Sequence, residues 1–116
     1  MSQITTHILD TSLGRPAAGV NVSLCAIGEA QTRGIDETIA QGITNSDGRV
    51  GDLLADDHIL PPGIYRLTFA VGEYYASLGT NGFYPYVDIT FEIGNDEHYH
   101  VPLLLNPFGY STYRGS

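Results

Sequence analysis

Apolar and polar side chains alternate along most of this chain, in runs too short for helices. Val20, Val22 and Leu24 alternate with Asn21, Ser23 and Cys25, the period of a half-buried strand. Ile64, Arg66, Thr68 and Ala70 alternate with Tyr65, Leu67, Phe69 and Val71, a longer strand with one apolar face. Gln3–Asp10 is extended by its β-branched content, Thr38–Thr44 is a further extended run, and Arg49–Leu54 and Phe83–Ile93 complete the series. Pro85 stands near the start of the last of these, where a missing donor is tolerated. Turn chemistry separates the runs: Thr11–Pro16, Asn45-Ser46-Asp47-Gly48, Pro61-Pro62-Gly63 and Gly94–Glu97. Ala26–Glu37 reads as a loop, and Glu73–Leu78, closed by Gly79, is the one short helix. Short strands at this spacing predict an all-β fold, an antiparallel β-sandwich formed by a single domain, 1–116.

The end of the chain carries the sharpest pattern. Tyr99, Val101, Leu103 and Leu105 share one strand face, suited to a core, while His98, His100, Pro102 and Leu104 share the other. Asn106-Pro107 turns the chain into a returning strand, Gly109–Tyr113. Two tyrosines, an arginine and the terminal carboxylate follow a core-quality strand pair, so this ending is expected to be docked.

Composition narrows the chemistry. At 116 residues, a domain buries roughly two-thirds of its unfolded surface and needs no covalent staple. The single cysteine, Cys25, excludes an internal disulfide and reads as a small buried hydrophobe. Five arginines, no lysine and thirteen acidic residues give a formal charge of −8. Such a surface repels phosphate backbones and anionic headgroups, so neither nucleic acid nor membrane is an expected partner. No run approaches the length of a spanning helix, and the first ten residues lack a signal pattern, which sets the expectation at a cytoplasmic protein.

Of four histidines, His58 lies in an acidic loop and His7 in a strand. His98 and His100 share a face, a spacing that suits zinc with His7 as a third ligand, although no carboxylate or cysteine is placed to complete the set. The other chemistry open to imidazole is general-base activation of water, with an arginine to hold an anionic substrate. Arg49, directly after the Asn45–Gly48 turn, is the local candidate. Gly-x-Ser-x-Gly elbows and phosphate-cradling glycine loops are absent. The residues alone favour binding or hydrolysis of a small, polar, anionic molecule.

Three motifs then carry a resemblance. His7-Ile8-Leu9-Asp10 with Gly14-Arg15-Pro16-Ala17 resembles the N-terminal signature of transthyretin and its relatives. Tyr99-His100-Val101-Pro102 through Phe108-Gly109-Tyr110-Ser111 resembles the C-terminal one. Tyr113-Arg114-Gly115-Ser116 is similar to the tetrapeptide of the family's enzyme branch, the 5-hydroxyisourate hydrolases, as opposed to the thyroid-hormone carriers. Asn106 departs from the serine more usual before that proline.

The resemblance implies a transthyretin-like sandwich of two four-stranded sheets with one short helix. It also implies a homotetramer, a dimer of dimers with sites at the dimer–dimer interface, and metal-free, cofactor-free hydrolysis of 5-hydroxyisourate. It assigns His7, Arg49 and His100, rather than His98, to catalysis, with Tyr113, Arg114 and Ser116 joining His7 and Arg49 at the substrate.

Overall fold

Strict alternation along the chain becomes eight strands whose buried faces meet in one core. The computed structural model describes residues 2–27 and 37–115. In chain order the elements are β1 (Ile4–Asp10), β2 (Arg15–Pro16), β3 (Asn21–Ala26), β4 (Glu37–Ile43), β5 (Gly63–Phe69), α1 (Val71–Ser77), β6 (Val87–Ile93), β7 (Tyr99–Asn106) and β8 (Gly109–Thr112). They form two four-stranded sheets, β2-β1-β7-β8 and β4-β3-β5-β6. Ile4, Ile8, Leu103 and Leu105 from the first sheet pack in one cluster with Val22, Leu24, Leu67, Phe69 and Ile93 from the second.

The sandwich departs from the expectation of wholly antiparallel pairing at one place. β1 and β7 run parallel, with Thr5 opposite His100 and His7 opposite Pro102. A parallel pair needs a long crossover, and here the entire second sheet intervenes between its two members. This pairing puts the first histidine strand beside the last.

Several boundaries differ from expectation. Arg49–Leu54 is not a strand: only Arg49 forms a bridge, and the chain then turns. Val50, Leu53 and Leu54 are all buried, a spacing that no period-two element produces, and Leu54 N–H donates to Ser2 Oγ at 3.1 Å. The strand expected from Phe83 begins only at Val87. Pro85 has no N–H for a ladder, and its carbonyl accepts the Gly72 N–H at 2.9 Å, bracing the start of α1 instead. Arg15–Pro16, expected within a turn, pairs with Leu9 and Asp10 as β2. Of the loop expected over Ala26–Glu37, Ala26 and Glu37 pair with each other at the ends of β3 and β4, and residues 28–36 lie outside the described residues.

Seven residues are too few for a helix to stand alone, and α1 is held by burial of Val71, Tyr74 and Tyr75. Tyr74 donates its hydroxyl hydrogen bond to Asp10 Oδ2 at 2.8 Å, anchoring the helix to the end of β1. Asp10 is fully buried. Burial alone would raise its pKa, but bonds from Ser12, Tyr74 and the backbone of Leu13 and Ser12 outweigh it and hold the carboxyl below its ordinary value. Cys25 is buried, as expected of a small hydrophobe.

Candidate active site

The parallel register and the alternation together decide which side chains meet. Along β1 the burial alternates, with Ile4, Thr6, Ile8 and Asp10 buried and Thr5, His7 and Leu9 half-buried. On β7, Tyr99, Val101, Leu103 and Leu105 face the core while His100 and Leu104 are half-buried. Thr5, His7 and His100 therefore stand on the outer face of one sheet, on adjacent strands.

Arg49 joins that face from the far edge of β1. Asn45 builds the turn: its side-chain oxygen accepts from the amides of Asp47 at 2.8 Å and Arg49 at 3.2 Å. Gly48 has φ +75°, and a β-carbon there would collide with the Ile8 carbonyl and press on Pro16. The Ile8 N–H donates to the Gly48 carbonyl at 2.8 Å, hanging the turn on β1 and leaving Arg49 as the cross-strand partner of His7. Cross-strand partners project to the same face, so the guanidinium is delivered beside the imidazole. Arg49 is exposed, and no described residue pairs with its guanidinium.

The chain terminus docks on the opposite edge of β7. Gly115 forms a bridge with His100, its N–H donating to the His100 carbonyl at 2.8 Å. The outer face thus carries a row running Arg49, His7, His100, Gly115 across four neighbouring segments. Arg114 turns elsewhere: its guanidinium lies 4.4 Å from the centre of the Tyr99 ring and 3.3 Å from Glu97. Tyr99 faces the core, so the structure does not bring the Arg114 side chain to His100. Tyr113 is 60 % exposed, and Ser116 lies outside the described residues.

Two residues of this face escaped the sequence reading. Thr5 lies within hydrogen-bond distance, 2.8 Å, of both His98 Nε2 and His100 Nδ1. Its position two residues before His7, hence on the same face, was the available signal. Gly115 packs so tightly that an added β-carbon would sit 2.5 Å from His100 Cδ2. His98 Nε2 and His100 Nδ1 both turn toward the Thr5 hydroxyl. Among the described residues no three His, Cys, Asp or Glu side chains group as metal ligands. His58 lies apart, in a surface cleft with Ala26, Ile39 and Leu60.

The electrostatics suit a base. Burial of the ring, then the Arg49 charge, then His98 and His7, lower the His100 pKa from its ordinary 6.5, against an opposing hydrogen bond at the Thr5 backbone. His100 is therefore neutral near pH 7 and able to accept a proton, beside a permanent cation.

A two-sheet sandwich with imidazoles and a guanidinium on one outer face defines a transthyretin-like protein equipped for polar chemistry. A sequence profile of the HIUase/Transthyretin family matches residues 4–115, and the chain belongs to that family. It is 47 % identical to a probable 5-hydroxyisourate hydrolase of Schizosaccharomyces pombe, covering 97 % of this chain and 90 % of the relative. The structure of Klebsiella pneumoniae 5-hydroxyisourate hydrolase aligns with TM-score 0.81 at 42 % identity, over 97 % of this chain and 92 % of that one. Transthyretin from Sparus aurata aligns with TM-score 0.88 at 28 % identity, over 99 % and 97 %. The backbone matches the transthyretin at least as well as the hydrolase, whereas identity favours the hydrolase. What separates the two branches has to be read in side chains.

Proposed function

We propose that this protein is a 5-hydroxyisourate hydrolase, opening the six-membered ring of that product of urate oxidation to give 2-oxo-4-hydroxy-4-carboxy-5-ureidoimidazoline. The observation that carries the reading is the row of Arg49, His7 and His100 across one sheet face, with a neutral imidazole beside a guanidinium that no described residue pairs. The relatives' names supply the substrate.

In this mechanism His100, assisted by His7, takes a proton from water as the oxygen bonds to a ring carbonyl carbon. The carbonyl oxygen gains negative charge, and the Arg49 guanidinium holds it through charge-assisted N–H bonds. Collapse of the adduct breaks the ring C–N bond, and the proton held by imidazole passes to the departing nitrogen, which restores the base. The docked tail bounds the site at Gly115, with Tyr113 and Ser116 as its candidates for substrate contact. The Arg114 side chain serves to hold the tail against Tyr99 and Glu97.

One chain offers only an open face, and a water-excluding site needs walls. We propose that a second copy supplies them in a homotetramer built as a dimer of dimers. Leu13, 47 % exposed, and Phe108, 70 % exposed, lie in the turns after β1 and β7. Because those strands run parallel, both turns stand at one end of the sheet that carries the row, where a second copy can bury them.

The test mixes purified protein with urate oxidase and urate, with and without chelator, and follows 5-hydroxyisourate absorbance. Decay faster than the spontaneous rate and indifferent to chelator is expected. Decay at the spontaneous rate would point to a carrier, and loss of activity with chelator to a zinc enzyme.

A further inference from the structure

We infer that Thr5 is a positioning residue for this hydrolysis, its hydroxyl holding His100 as the tautomer protonated on Nδ1 and leaving Nε2 free as the base. His98 is the far anchor of that hydroxyl. The inference rests on the hydrolase reading and extends it to two residues that reading does not use.

The geometry restricts the choices. Thr5 Oγ1 lies 2.8 Å from His98 Nε2 and 2.8 Å from His100 Nδ1. A hydroxyl has one hydrogen to give, so it cannot donate to both rings at once. Its two lone pairs can accept from both. Three arrangements therefore satisfy both contacts: His98 donates to Thr5 and Thr5 to His100, His100 donates to Thr5 and Thr5 to His98, or both rings donate to Thr5. The first puts the His100 proton on Nε2, where the base must be bare. The other two put it on Nδ1.

Two features accord with a proton on Nδ1. Arg49 and His7, on the same face, oppose added positive charge on the ring, which leaves the remaining nitrogen unprotonated. His98 is exposed, and solvent can satisfy its Nδ1–H while Nε2 accepts from Thr5. The ring is otherwise fixed: Gly115 closes against its Cδ2 edge, and the parallel register sets Thr5 directly opposite His100. A ring held at one nitrogen by a strand neighbour cannot flip without losing that bond, and orientation of a base to this degree is a recognised share of its efficiency.

The experiment is a two-bond 1H–15N correlation spectrum of uniformly 15N-labelled protein near pH 8, assigned at His100, combined with kinetics on 5-hydroxyisourate. Wild type is expected to show a protonated Nδ1 and a bare Nε2. Thr5→Val keeps the β-branched shape that suits a strand but loses the hydroxyl. It should average the two tautomers and lower kcat about tenfold with KM within about twofold, in keeping with loss of one hydrogen bond. Thr5→Ser should restore both the spectrum and kcat to within about twofold. Should Thr5→Val fail to fold, Thr5→Ala gives the same comparison. A wild-type His100 protonated on Nε2 would overturn the inference, as would a Thr5→Val protein with wild-type tautomer and kcat. The spectrum needs no substrate, so failure of the hydrolase reading would appear separately, as absent turnover in the wild type.

Discussion

Gly115 donates its N–H to the carbonyl of His100 at 2.8 Å, and its α-carbon lies so close to that residue's ring that no side chain fits between them. The chain's end is thereby locked to the proposed base. Gly115→Ala should push a β-carbon into the imidazole, displacing ring or tail. A loss of more than about tenfold in kcat is expected with little change in thermal stability, since the terminus contributes few buried contacts. Wild-type kcat in a folded Gly115→Ala protein would show that the close approach is incidental.

Arg49 tests the oxyanion half of the mechanism. Its guanidinium is exposed and unpaired by any described residue, so Arg49→Lys should leave stability within about 0.5 kcal/mol. Lysine keeps the charge but not the two-pronged geometry, and a loss of about 10²–10³ in kcat is expected, comparable to removal of an oxyanion donor. Urea unfolding and initial rates on one preparation check both halves of the statement.

The pH profile follows from the lowered His100 pKa. The neutral ring is the active form, so kcat/KM should rise with pH through a midpoint below 6.5 and then level off. Part of that lowering comes from Arg49, so Arg49→Gln should move the midpoint upward toward 6.5 while burial still holds it down. The same shift costs stability in acid. The unfolded chain binds the proton more readily, so this contribution is lost as pH falls below about 6.5. A midpoint that ignores Arg49→Gln would remove the guanidinium from the vicinity of the base.

Away from the site, Tyr74 and Asp10 couple α1 to β1. Tyr74→Phe removes one bond to a buried carboxylate and should cost about 1.5–3 kcal/mol at pH 7, read by urea unfolding. The Asp10 pKa is lowered on folding, so the stability it brings is complete above about pH 3.9 and fades as pH drops through the folded value. The difference between wild type and Tyr74→Phe should shrink over that acid range. A difference unchanged from pH 7 to pH 3 would contradict the coupling.

How much of this was legible in the sequence depends on whether period or pairing decided it. Period two placed His100 opposite Val101 and Leu103, and the Asn45–Gly48 turn marked Arg49, because both are local properties. The parallel register of β1 and β7 is not local, and it alone sets Thr5 against His100. Arg114 is marked by its place in the terminal tetrapeptide, whereas its contacts with Tyr99 and Glu97, fifteen or more positions earlier, are not local. Val50, Leu53 and Leu54 look like strand residues by composition, yet they fill the core from a turn whose amide at Leu54 is satisfied by Ser2.

The central claim is that a neutral His100, set in a row with His7 and Arg49, takes the proton from the attacking water. The most direct measurement is the enzymatic decay of 5-hydroxyisourate absorbance by His100→Ala, with circular dichroism to confirm the fold. A loss of about 10²–10⁴-fold with an unchanged spectrum is predicted. Turnover within a few-fold of wild type would contradict it.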